Sequence, residues 1–295
     1  MTVRDRWRVT LGEAPIALKP SLEGAVALLC GCIAAGWQPR AGTLKVLAAW
    51  LIADVLLGCV LEQLLALKRS VGPNQAADQP ADARPIGLVL PYATPGSPGY
   101  RLAARVNAYL AHWRDQVWPY AGQHAMTVLV CAGLATLLAT YLGRELAGAV
   151  SGALLLTACL TILAGASGIA LERWFAGLHV ALAWALGHLA FAPWKAPSMG
   201  LALLIGLGAY ARCWRRQSRR AAADWLRWAV WWALAAILLV ARQPVLAGAV
   251  AIAACGSYGA SAPATEGDAA QPSGLDRFAW IISQGVAALA VTYWS

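Results

Sequence analysis

Nine stretches of mostly apolar residues follow one another along the chain, separated by polar or basic breaks, at approximately 17–36, 44–67, 124–142, 146–170, 174–192, 197–214, 224–241, 244–260 and 278–294. A helix needs about 20 apolar residues to cross a bilayer, so this pattern predicts an all-α, polytopic bundle of nine transmembrane helices. Glycines and flanking prolines shorten the first, fifth and sixth stretches. Residues 70–99 form a break rich in Pro, Gly, Asp and Ala, which predicts irregular backbone. Beyond it Leu102, Val106, Tyr109, Leu110, Trp113 and Val117 recur at helical spacing, with Arg101, Arg105, Asn107, Arg114 and Asp115 on the other face. Residues 70–123 therefore read as a cytoplasmic loop carrying an interfacial amphipathic helix, either a plain juxtamembrane anchor or a gate over a cavity. Residues 261–277 read as a second flexible loop, and the whole chain, 1–295, as a single transmembrane domain.

Composition fits this pattern and excludes a water-facing globule. Of the 295 residues 60% are hydrophobic and 13% charged, against about 45–50% and about 25% in soluble domains. The segment before the first apolar run is polar and basic, without the short apolar core and small-residue cleavage site of a secretory leader, so the first span is expected to stay in place. The net charge of +9 is a matter of sidedness. With the N-terminus in the cytoplasm only Arg40, Lys45, Arg144, Lys195 and Arg242 fall outside, and the other 18 of the 23 Lys and Arg fall inside. That asymmetry predicts an N-in, C-out, multi-pass protein, with a bacterial inner membrane as the expected location. The basic excess serves topology and attraction to anionic membrane lipids, and nucleic-acid binding has no further support.

The seven cysteines, Cys30, Cys32, Cys59, Cys131, Cys159, Cys213 and Cys255, lie in or at the ends of apolar runs and read as small apolar filler. Trp37, Trp118, Trp194, Trp214, Trp225, Trp228 and Trp294 sit near span ends, where indoles settle at headgroup level. Trp50, Trp184, Trp231 and Trp232 lie deeper, where they pack helices or stack on a flat ligand. Carboxylates at membrane depth cost several kcal/mol, so Glu23, Asp54 and Glu62 are expected to face the bundle interior, a cavity or a partner. Asp54 and Glu62 are offset by about 80° and about 12 Å, so they can share one wall of a cavity but not chelate one ion. Glu62 also lies near Lys68 and Arg69, with which it can pair. His179 and His188 fall on opposite faces of one span, which excludes a two-histidine site. Either imidazole alone can ligate the magnesium of a chlorin or, more simply, hydrogen-bond to a neighbouring helix. No nucleophile elbow, phosphate loop, HExxH or dinucleotide fingerprint occurs.

The order of spans and several strings resemble the UbiA superfamily of intramembrane prenyltransferases, in particular its chlorophyll and bacteriochlorophyll synthase branch. Leu18-Lys19-Pro20, Cys30-Gly31 and Ala34-Ala35-Gly36 resemble that branch's first helix. GIALERWF at 168–175 is similar to the family's L-K-R-x-x-W turn, and Arg84-Pro85-Ile86 to its R-P-I. Leu207-Gly208-Ala209-Tyr210 occupies the place of the helix before the second acidic motif. The resemblance implies transfer of an isoprenoid chain from its diphosphate, with magnesium held by two Asp-rich motifs, because divalent cations must bridge a leaving diphosphate to carboxylates. Here the first motif, N-D-x-x-D-x-x-x-D, falls on 62–70 with one acid, Glu62. The second falls on 213–220, where Arg215, Arg216, Arg219 and Arg220 stand near the expected carboxylates.

Guanidinium groups grip phosphate or a lipid headgroup, but ground-state gripping does not accelerate departure of the leaving group. A positive-inside loop accounts for the same four arginines more simply. The sequence therefore reads as a catalytically degenerate relative: a non-enzymatic subunit or scaffold packing against other integral membrane subunits. Reaction-centre or light-harvesting proteins are the partners the resemblance implies. The expected ligand is an isoprenoid-tailed molecule such as chlorophyll or bacteriochlorophyll, a carotenoid, a quinone or a lipid, with His179, His188, Trp184, Glu62 and Asp54 as candidate contacts. The alternative is an active prenyltransferase with an atypical site, acting on a tetrapyrrole or quinone precursor. A carrier using Asp54 and Glu23 is a third reading, against which stands the lack of an internal repeat.

Overall fold

The computed structural model describes residues 22–38, 42–70, 97, 99–101, 103–104, 106–107, 118–167, 170–217, 221–259 and 274–292. Among them every regular element is a helix: α1 (Leu22–Ala34), α2 (Thr43–Trp50), a π-helical turn (Leu51–Leu56), α3 (Leu57–Ser70), α4 (Trp118–Leu142), α5 (Arg144–Ser167), α6 (Leu171–Leu189), α7 (Ala196–Gln217), α8 (Ala221–Val240), α9 (Pro244–Gly259) and α10 (Gly274–Thr292). Five helices are long and apolar enough to cross a membrane: Thr43–Leu67, Ala121–Leu142, Arg144–Ala164, Ala196–Gln217 and Ala221–Val240. The chain is a multi-pass integral membrane protein. Leu22–Ala34, Pro244–Ser257 and Arg277–Thr292 are shorter apolar helices. The 13 described residues of α1 span about 20 Å. The predicted interfacial helix lies largely outside the described residues, and its described positions, 99–101, 103–104 and 106–107, are helical. Of the predicted loop at 261–277, residues 261–273 lie outside the described residues, and 274–277 form the first turn of α10.

The chain divides into two compact units, Met1–Cys59 with Ala132–Ser295, and Val60–Cys131. In the first, α1 packs on α6, α6 on α7, α7 on α8, α8 on α9, α9 on α10, and α10 back on α1, which closes a ring of six helices. Helix α6 is the most enclosed member, with Ala183, Trp184, Leu186 and His188 fully buried. Its approaches to both neighbours are backbone to backbone. A Cβ on Gly187 would strike the carbonyl oxygen of Leu28, one on Gly31 that of Trp184, and one on Gly206 that of Gly177. With no hydrophobic gain from pairing helices in lipid, such small-residue contacts supply the dispersion energy that holds them together. Enclosed by its neighbours at this level, α6 carries the fully buried His188, while Glu172 and Arg173 sit in its partly exposed first turn.

The ring is filled at the level of Trp280. This α10 side chain lies against Gly208 of α7 and meets Trp231 of α8 edge-on at 5.5 Å. The outward sides of α4 and α5 carry a different surface. Leu137 and Tyr141 on α4, and Leu155, Leu156, Ile162 and Leu163 on α5, are exposed, as suits side chains facing acyl chains or partner helices. In the second unit Gln63 is buried and its Oε1 meets Nδ1 of His124, which ties α3 to α4.

Candidate functional site

Two polar constellations form in the first unit. One is built on the π turn. There the N–H of Leu57 donates to the carbonyl of Ile52, five residues back, so the helix widens by a residue and turns Asp54 inward. Such turns recur at functional sites. Asp54 is 6% exposed, and its Oδ1 stands 3.3 Å from Nε2 of His179 on α6. The approach is within ion-pair range without the alignment of a hydrogen bond. Gly58 lies beside the same imidazole, where a Cβ would come to ordinary contact, 3.7 Å from Nε2. The His179 side chain keeps 17% of its surface open, so one side of this buried carboxylate and imidazole pair is accessible.

The second constellation caps one end of the unit, where the starts of α1, α6 and α8 meet the end of α7. Arg212 Nη2 donates to Glu23 Oε2 at 2.7 Å, and Arg216 stands 3.9 Å from Glu23 Oε1. Arg215 pairs with Asp224 at 3.0 Å. Gln217 donates to Glu172 at 2.7 Å and accepts from Arg173 Nε at 2.6 Å, while Arg173 also lies over Trp214. Arg212 is 6% exposed and its guanidinium sits 4.3 Å above the Trp280 ring. Arg227 is 3% exposed, one turn below Trp231 on the buried stripe of α8. Among the described residues, five arginines here face three carboxylates. Each of these carboxylates is already engaged by arginine or glutamine.

The sequence-selected residues separate accordingly. Asp54 and His179 come together. His188 does not join them: it is fully enclosed, with Nε2 3.2 Å from the carbonyl of Pro193. Trp184 is likewise sealed, its Nε1 donating to Ser198 Oγ at 3.3 Å, so it packs helices and has no face for a flat ligand. Glu62 is half-buried and belongs to the second unit. Arg215 and Arg216 are ion-paired as above, and Arg219 and Arg220 lie outside the described residues. Sequence reading missed Arg212, Arg227, Trp280 and Gln284, the last 1% exposed with neither amide atom partnered among the described residues. A signal for Arg212 existed: Ser198, Ala202, Ile205 and Ala209 form a stripe at helical spacing that continues onto it, and all are buried.

Because Arg215 and Asp224 are both partly exposed, Arg215→Ala is expected to cost no more than about 0.5 kcal/mol, measured by SDS titration of the detergent-solubilised protein. Among the described residues no group of three His, Cys, Asp or Glu side chains is placed to hold a metal ion. Family models, curated proteins and solved structures offer no match to this chain.

Proposed function

We propose that this chain is a non-catalytic, UbiA-like membrane subunit, with nine crossing helices and a cytoplasmic N-terminus, that packs against partner membrane proteins and holds an isoprenoid-tailed ligand. The observation that supports it best is the state of the charged end. A prenyltransferase needs carboxylates there to bridge magnesium to a departing diphosphate, whereas Glu23 is held by Arg212 and Arg216, Asp224 by Arg215, and Glu172 by Gln217. Chelating magnesium would require breaking these contacts and drawing Glu23 away from the buried Arg212, and separating a buried ion pair costs several kcal/mol. The exposed apolar sides of α4 and α5 suit acyl chains or partner helices. The resemblance to chlorophyll synthases makes a photosynthetic pigment-protein complex the setting to test first.

Two measurements decide the reading. Affinity purification from native membranes is expected to recover the chain with other integral membrane proteins and an extractable isoprenoid-tailed molecule. Incubation with magnesium, labelled geranylgeranyl diphosphate and tetrapyrrole or quinone-precursor acceptors is expected to give no product. Metal-dependent product that disappears in Glu62→Gln would overturn the reading in favour of an active prenyltransferase, and recovery as a lone, ligand-free protein would overturn the scaffold role.

A further inference from the structure

Helix α5 is long and apolar enough to cross the membrane, yet most of its surface is uncommitted: 22% of the span Arg144–Ala164 is buried, against 50% of Ala196–Gln217. Its buried residues, Leu146, Val150, Ala153, Thr157 and Ala164, form one face. At about 100° per residue, Gly148, Gly152, Leu155, Cys159 and Ile162 all fall within about 50° of the opposite direction, and all five are exposed. The helix therefore carries a second seam, turned away from the side that packs inside this chain. Gly148 and Gly152 stand one turn apart on it, and at both no atom of the described residues comes within 4 Å of where a Cβ would sit. On α1, α6 and α7 glycines are used for backbone-to-backbone approaches within the chain. Here the same kind of small-residue spacing leaves an open groove, the geometry through which helices in lipid approach most closely.

Charge at the start of the helix indicates what fits that groove. Arg144 and Glu145 open α5, Arg144 about 30° to one side of the centre of the outward seam and Glu145 about 70° to the other. Glu145 Oε2 accepts the Trp194 N–H at 3.2 Å, which holds the carboxylate at this exposed end. Two copies inserted in one membrane share an orientation, so a two-fold axis along the bilayer normal sets their α5 helices parallel with identical faces in contact. That rotation brings Arg144 of each copy to the same side as Glu145 of the other. Two opposite-charge pairs then flank the groove, as charges beside the seam of a parallel coiled coil do.

We propose that the chain forms a parallel two-fold dimer through the outward face of α5, with the backbones meeting at Gly148 and Gly152 and Arg144 of each copy paired with Glu145 of the other. The proposal rests on the reading that this chain packs against other membrane proteins, and it names a second copy as that partner.

The test uses full-length protein carrying donor or acceptor dyes, reconstituted into phosphatidylcholine vesicles over a range of protein-to-lipid ratios, with energy transfer reporting self-association. Wild type is expected to dimerise. Gly148→Ile combined with Gly152→Ile is expected to weaken the dimer at least about tenfold, with helical circular dichroism unchanged because both positions face open space within the chain. Gly248→Ile on α9, where a Cβ likewise meets nothing within 4 Å, is expected to leave it unchanged. Arg144→Glu and Glu145→Arg are each expected to weaken the dimer by a smaller factor, and the two together to restore it. Energy transfer no greater than chance proximity at every ratio, or a dimer as strong in the double isoleucine variant as in wild type, would overturn the proposal. Affinity purification from membranes holding two differently tagged copies separates it from the broader reading. Recovery of the second tag supports the dimer. Recovery of other membrane proteins without it overturns the dimer and leaves the partner-packing reading standing, and recovery of neither overturns both.

Discussion

Replacing Glu23 by leucine is expected to destabilise the protein by about 3 kcal/mol, because it leaves Arg212 with its charge at a site that is 6% exposed. The guanidinium keeps its contact with the Trp280 ring, but a cation over an aromatic face recovers only about 1–2 kcal/mol of a lost counter-charge. Arg212→Met is expected to be less costly, since Glu23 is 23% exposed, close to Arg216, and able to reach water. The double variant, Glu23→Leu with Arg212→Met, is expected to recover most of the stability, as apolar replacements of ion pairs often do. SDS or thermal unfolding of the four proteins in one detergent measures the cycle. Additive losses, with the double variant weaker than either single one, would show that the pair is not a unit.

Gly187→Val is expected to cost about 3 kcal/mol through overpacking. Its Cβ would strike the Leu28 carbonyl, and neither backbone has a flexible side chain to move aside. The two branched methyls then force α1 away from α6 and release the Gly31 contact with Trp184 as well. The same measurement on Gly152→Ala is the contrast. Nothing lies within 4 Å of a Cβ there, so the change is expected to raise stability by a few tenths to about 1 kcal/mol through helix propensity alone. Equal effects at both positions would mean that α1 and α6 do not pack through their glycines.

The helices were legible because lipid imposes a plain rule: a run of apolar residues long enough to satisfy its own backbone becomes a helix. The same rule makes α6 hard to read, because its neighbours enclose it and its polar side chains answer to them. His179 and Asp54 were each visible as costly side chains at membrane depth, but not as a pair. Their meeting depends on a wide turn that helical periodicity does not announce, and on two helices separated by more than a hundred residues. Arg215 and Arg216 were legible as cations at the place of a lost acidic motif. Their pairing with Asp224 and Glu23 could not be read from the sequence, because ion pairs across a bundle are fixed by packing. His188 and Trp184 were selected for their chemistry, and burial assigns both to the interior.

The wide turn at Leu51–Leu56 also sets how the long helix tolerates change in length. It contains a residue more than ordinary winding requires, so excising one there would let the coil close up without breaking. The segments on either side would keep the faces they already present, because the residue lost is the one the wide turn accommodates. The same deletion a turn or two away, in regular winding, would instead rotate everything beyond it by about 100° and throw the inward-facing row out of step.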